Sequence, residues 1–167
     1  MPSQQPLLEC REPNLGFFTK LFRFTKYKTQ IPFALEVRDA GQQFVLRLKR
    51  GVSLLRRSTV QVFDGNEVLL GRFRQRLLSL GGKLDLLDAD DRIVCTVQGK
   101  LTSFEYKFLR NGEPVALVTK QWMGLGRELF TLVDNYVISM EPTVPTTDDV
   151  RRLVLAAALC IDMVFAE

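Results

Sequence analysis

The residues best placed to do chemistry in this sequence are cationic. Arg47 and Lys49 close one predicted strand, and Arg50, Arg56 and Arg57 follow in the loop after it. Arg72, Arg74 and Arg76 alternate along the next predicted strand but one. Every second side chain of a strand shares a face, so Arg72, Arg74 and Arg76 point one way, as do Arg47 and Lys49. If these strands lie close in a sheet, their outward cations form a continuous positive stripe. A planar guanidinium donates two hydrogen bonds at once to a phosphate, so such a stripe suits anionic headgroups. The same stripe would also serve as a solvated outer face that resists aggregation. Nucleic acid is not the expected ligand, because no RNP-like aromatic motif accompanies these arginines.

The rest of the inventory excludes more than it offers. The 167 residues include no histidine. That removes Ser–His and Cys–His nucleophiles, histidine bases and histidine-bearing metal sites, so no enzyme is expected and no small-molecule substrate is evident. Cys10, Cys95 and Cys160 are too scattered for a disulfide framework or a zinc site, and an odd count fits reduced cysteines inside a cell. A net charge of +4 is a mild basic excess, in a chain whose 46% hydrophobic and 25% charged content is ordinary for a globular protein. The N-terminus has no basic region leading into an apolar run, so a cytosolic location is expected.

The elements that must carry these residues follow from periodicity. Residues 1–14 are polar and contain Pro2, Pro6 and Pro13, which predicts a loose leader. Residues 15–27 are aromatic and basic, and read as a cap on one end of the core or as a membrane-touching segment. From about residue 26 to 140 strand follows strand, with turns at Asp39-Ala40-Gly41, Asp64-Gly65-Asn66, Asp88-Ala89-Asp90-Asp91 and Arg110-Asn111-Gly112-Glu113. Expected strands include 44–49, 68–76, 103–109 and 128–133, about a dozen in all, with meander connections. The last stretch differs. Thr146 and Thr147 are candidate helix caps, followed by Asp148 and Asp149, and nearly every position from Leu153 to Ala166 is apolar. A helix over 148–166 that is apolar all round must be surrounded. Its apolar part spans about 21 Å against a hydrocarbon core of about 30 Å, and it carries Asp162, so protein is the better sheath. Only a closed barrel offers a lumen for it, with Trp122, Leu155, Leu159, Asp162 and Phe165 in the core.

The run Lys120-Gln121-Trp122, Gly124, Arg127-Glu128, Phe130-Thr131, Asp134-Asn135-Tyr136, and then Ile161-Asp162-Met163-Val164-Phe165-Ala166-Glu167 after an apolar stretch, resembles the C-terminal half of phospholipid scramblases. Their relatives include the plant LURP-one-related proteins and the Tubby C-terminal domain. The resemblance implies one domain over residues 15–167: a closed, twelve-stranded antiparallel β-barrel around a buried C-terminal helix. It also implies a lipid role, since Tubby-like domains bind phosphoinositides through a basic patch. The calcium segment of animal scramblases begins just after the Phe-Thr pair, with acids at its first, third and last positions. Here those positions hold Leu132, Asp134 and Thr143. Calcium takes six to eight oxygens, so Asp134 with Asn135 makes a poor site and reads as a turn. No cofactor is expected. The function expected is a non-enzymatic module, cytoplasmic or peripheral at a membrane, that binds anionic phospholipid headgroups. The alternatives are a lipid scramblase proper and a protein-interaction scaffold.

Overall fold

The alternation seen in the sequence becomes one sheet. The computed structural model describes residues 8–11, 32–51, 59–75, 83–100, 105–121 and 135–165. These hold the strands β1 (Leu8–Arg11), β2 (Phe33–Asp39), β3 (Phe44–Arg50), β4 (Thr59–Asp64) and β5 (Leu69–Gln75). They continue with β6 (Lys83–Asp88), β7 (Ile93–Lys100), β8 (Glu105–Arg110), β9 (Glu113–Gln121) and β10 (Asn135–Met140), then the helix α1 (Asp149–Phe165). The strands pair in sequence order in a 10-stranded antiparallel sheet. The expected architecture is a closed barrel of about twelve strands; the described residues form ten, and among them no ladder joins β1 to β10. The strand expected at 128–133 lies outside the described residues, as does the segment 15–27. Residues 8–11, expected in a loose leader, instead pair with β2 from Leu8 opposite Asp39 to Arg11 opposite Glu36. The free backbone edge of β2 supplies the hydrogen bonds that such a short polar segment cannot supply alone.

Every second residue of each strand turns inward. Leu46 and Leu48 on β3, Val60 and Val62 on β4, Phe73 on β5, Leu84 and Leu86 on β6, and Val97 and Phe108 beyond them are all buried. Bulges help to curve this face. The register shifts just before the turn in the β2–β3, β4–β5, β6–β7 and β8–β9 hairpins, and each extra residue sharpens the local twist.

Three of those hairpins close with the same turn. The backbone carbonyls of Asp39, Asp64 and Asp88 accept from the amides of Gln42, Glu67 and Asp91 at 2.9, 3.1 and 3.2 Å. Gln42, Glu67 and Asp91 take left-handed φ values of 62°, 63° and 64°. Each aspartate Oδ1 then accepts from the amide that re-enters the sheet: Gln43 at 2.9 Å, Val68 at 2.8 Å and Arg92 at 2.9 Å. The β8–β9 turn is different in kind, with Asn111 and Gly112 both left-handed, as a two-residue hairpin requires.

The inward face meets α1, which packs against β3, β5 and β10. Val150, Leu153, Val154, Ala156, Ala157 and Ala158 are buried. Gly71 lets the layers approach: an added Cβ would run into the Leu87 carbonyl oxygen and come within 3.2 Å of Leu153 Cδ2. The helix cap is Asp148, not Thr146 or Thr147. Its Oδ1 accepts from the Val150 amide at 3.0 Å. Arg110 grips both carboxylate oxygens, at 2.9 and 3.1 Å. These hydrogen bonds from Arg110 outweigh desolvation and hold the Asp148 carboxyl below its ordinary 3.8. Arg151 reaches back to the Val144 and Pro145 carbonyls at 2.9 to 3.1 Å, tying down the approach to the helix.

The helix is not enclosed all round. Leu159, expected in the core, is 36% exposed. It lies on one stripe with exposed Arg152 and half-buried Leu155, turned away from the sheet. The side chains of Asp162 and Phe165 lie outside the described residues. At 17 residues α1 is about 25 Å long, and among the described residues no helix is long and apolar enough to cross a membrane.

Two predictions follow from the seating of α1. Asp148→Ala removes cap and ion pair together and lowers stability by about 1–2 kcal/mol in urea unfolding, whereas Asp148→Asn keeps an acceptor for Val150 and loses less. Because folding lowers this carboxyl, its contribution is present above about pH 4 and lost as pH falls through the folded value. Unfolding free energy measured from pH 5 down to pH 2 therefore falls less steeply in Asp148→Asn. Gly71→Ala forces a backbone or helix shift and costs about 1–3 kcal/mol by the same assay, with the loss concentrated in near-ultraviolet signals of tertiary packing.

Candidate functional site

The outward face of β2 to β5 gathers the predicted cations, in an arrangement set by register. Lys49 stands opposite Gln61 of β4, which stands opposite Arg72 of β5. One step along, Arg47 faces Phe63 on one side and Glu36 on the other. Two steps the other way, Thr59 faces Arg74. β4 therefore separates the two basic strands, by about 9.6 Å at roughly 4.8 Å per strand. The stripe is interleaved with Gln61 and Phe63 and is not continuous.

Each cation has a distinct environment. Arg47 pairs with Glu36 of β2 at 3.1 Å and with Glu67 of the β4–β5 turn. Arg72 pairs with Asp91 of the β6–β7 turn at 2.5 Å and also donates to the Ala89 carbonyl at 3.4 Å. Lys49 has no carboxylate partner among the described residues; its Nζ lies 5.2 Å from the Phe63 ring centroid, an exposed cation–π contact. Arg74 is exposed and likewise has no carboxylate partner among the described residues. Arg50 is not part of this face. It follows Leu46 and Leu48 at strand spacing, points inward, is 4% exposed, and lies 4.6 Å from the Phe33 ring centroid. Arg56, Arg57 and Arg76 lie outside the described residues.

Two features escape the sequence. Arg38 joins the outward group: it stacks 3.8 Å from the Phe44 ring centroid and bonds Glu36 at 3.3 Å and the Gln42 carbonyl at 3.1 Å. Its signal was present, two residues after Glu36 on the same face. The carboxylates of Glu67 and Asp91 are the second. Each occupies the left-handed position of a D-x-x-[E/D] turn, a pattern that flags them once the turn type is known.

Elsewhere the candidates thin out. Asp134 and Trp122 lie outside the described residues. Asn135 opens β10 opposite Gln121, and nothing more of its side chain is described. No cluster of three metal-binding side chains occurs among the described residues. Asp85, 3% exposed, shares the outward parity of Arg74 and accepts from the Thr96 hydroxyl at 3.4 Å. Burial pushes the Cys95 thiol up to about 12, which leaves it protonated and unreactive at neutral pH.

The outward face of β2 to β5 thus combines Arg38, Arg47, Lys49, Arg72 and Arg74 with the fewer carboxylates of Glu36, Glu67 and Asp91. The excess is positive, lies on rigid strands, and is reachable from solvent. No solved structure matches the chain. A family model described as Scramblase matches residues 3–167. That match takes in the sheet, its basic face and the terminal helix alike, and the chain belongs to the scramblase family.

Proposed function

We propose that this protein is a non-enzymatic, membrane-associated module that binds anionic phospholipid headgroups through the outward face of β3 to β5. The observation that carries the reading is the pair Lys49 and Arg74, exposed and without carboxylate partners among the described residues, beside the ion-paired Arg47 and Arg72. Family membership supports a lipid-related role, in a family not known for enzymes. Lys and Arg residues near an anionic surface contribute about 1 kcal/mol each, so a group of this size gives reversible, salt-sensitive attachment. Arg56, Arg57 and Arg76 belong to the same proposal, since they adjoin these strands in the chain. Arg50 does not, because it points into the core. The protein is placed on the cytosolic side of the membrane, where anionic lipid is enriched. Calcium has no part in this reading. Repeated bulges and an apolar helix on the inner face support a sheet that curls far enough to close as a barrel.

Co-sedimentation with vesicles of zwitterionic lipid, with and without phosphatidylserine, tests the reading at low and at about 150 mM salt. The expected result is binding to the anionic vesicles alone, weakened by salt. Lys49→Glu/Arg74→Glu should weaken it by at least about 30-fold. Attachment that survives both salt and charge reversal would mean that α1 leaves the sheet and inserts, the scramblase alternative. Attachment to neither kind of vesicle would discard a headgroup site and leave a protein scaffold.

A further inference from the structure

The arginines of this face are not all equally available, and the turns decide which are. Three turns of one geometry hang over the outward side of the sheet. In each, the residue in the left-handed position reaches back to the strand that precedes the hairpin. Gln42, in the β2–β3 turn, reaches Glu9 of β1 at 3.5 Å. Glu67, in the β4–β5 turn, reaches Arg47 of β3. Asp91, in the β6–β7 turn, reaches Arg72 of β5 at 2.5 Å. The reach belongs to the turn; the side chain placed there decides what it does.

Left-handed backbone favours glycine, asparagine and aspartate, so Glu67 is locally unfavourable at that position and Asp91 much less so. Both turns that overhang a basic strand carry an acid there, while the turn over β1 carries a neutral amide. The carboxylates are also easily displaced. The Glu67 and Asp91 side chains are 61% and 65% exposed, whereas their arginine partners are 22% and 23% exposed. An exposed ion pair adds little to stability, so exchanging the carboxylate for another anion costs the fold little.

We propose that Glu67 and Asp91 are built-in competitors for Arg47 and Arg72, occupying the guanidinium groups until a surface dense in lipid phosphate displaces them. The inference rests on the headgroup-binding reading and adds regulation to it. Lys49 and Arg74 make the first contact, and Arg47 and Arg72 join only where anionic lipid is concentrated. The two acids thereby set a threshold of surface charge, and a sparsely anionic membrane is left unbound.

Titration of vesicles with rising phosphatidylserine content tests this on the full chain. Asp91→Gly and Glu67→Gly remove the competitor and relieve the left-handed strain, so both variants fold. Asp91→Gly should bind anionic vesicles about fivefold more tightly, and Glu67→Gly by a smaller factor because Glu36 still pairs with Arg47, each with half-saturation at a lower phosphatidylserine content and a steeper dependence on salt. Two controls accompany them. Gln42→Gly relieves the same strain without changing charge. Glu113→Gln removes one exposed negative charge at the β8–β9 turn without releasing an arginine. Tighter binding by the first two variants and not by the controls establishes the competition. An equal gain in Glu113→Gln reduces it to net charge, and an equal gain in Gln42→Gly reduces it to turn strain; either overturns the proposal. If the wild type binds and Asp91→Gly and Glu67→Gly bind no better, this inference alone fails. If neither wild type nor variants bind, the headgroup reading fails with it.

Discussion

The sheet depends on covering the inward row of β2 to β9, and α1 packs onto that side against β3, β5 and β10. The sheet turns Leu46, Leu48, Val60, Val62, Phe73 and Phe108 to one side, and burial of such side chains is the main favourable term in folding. A flat sheet would touch a single helix along a line. The register shifts before four of the turns curve the sheet, and the missing side chain at Gly71 lets Leu153 settle close to the backbone of β5. The grip at the start of the helix is polar where the rest is apolar. Arg110 from the end of β8 closes on Asp148, and Arg151 closes on the carbonyls behind it, so the first turn has a fixed position before the apolar stripe begins. Apolar contact supplies the energy, and this polar collar fixes the register.

Much of that was legible in the sequence, and the reasons for the failures are specific. Asp39, Asp64, Asp88 and Asn111-Gly112 marked the turns because their side chains or backbone freedom stabilise turns locally, whatever surrounds them. Period-two alternation likewise placed Arg47 with Lys49 and Arg72 with Arg74, and both pairs stand on the outward face. The start of α1 was readable to within one residue, because a run so apolar has no other accommodation. Arg50 was also readable, two residues beyond Leu48, had the alternation been followed to the end of β3. Leu70 was not. It alternates with Arg72 in the sequence but is buried, because the bulge beside Val62 turns it inward. β1 was invisible since four mostly exposed residues, Leu8 to Arg11, carry no pattern of their own and become a strand only against the edge of β2. Leu159 looked like core because composition reports apolarity and not on which side of the helix the sheet ends.

The basic face teaches a related lesson about local and non-local information. That Arg47 and Arg72 point outward follows from their own strands. That Glu67 and Asp91 reach them depends on which turn overhangs which strand, a fact of register spread over three strands at once. The aspartate turns therefore do two things in one geometry. They reverse the chain, with the side chain of the first residue holding the amide of the fifth, and they cantilever the fourth residue over a neighbouring strand. Charge balance on the outer face is thus written into the hairpins as well as into the strands, where Glu36 of β2 supplies the rest.

The strand order has a consequence for how the molecule comes into being. Each strand pairs with the one before it, so every ladder can close as soon as its second strand leaves the ribosome. The covering helix follows all ten strands in the chain. Until the helix emerges the nascent sheet carries an uncovered oily surface, because the helix that covers it is made after the strands. A chain halted before Asp149 is therefore a sheet without its filling, the kind of species that chaperones hold and proteases clear. Quality control of this protein therefore turns on the synthesis of this helix.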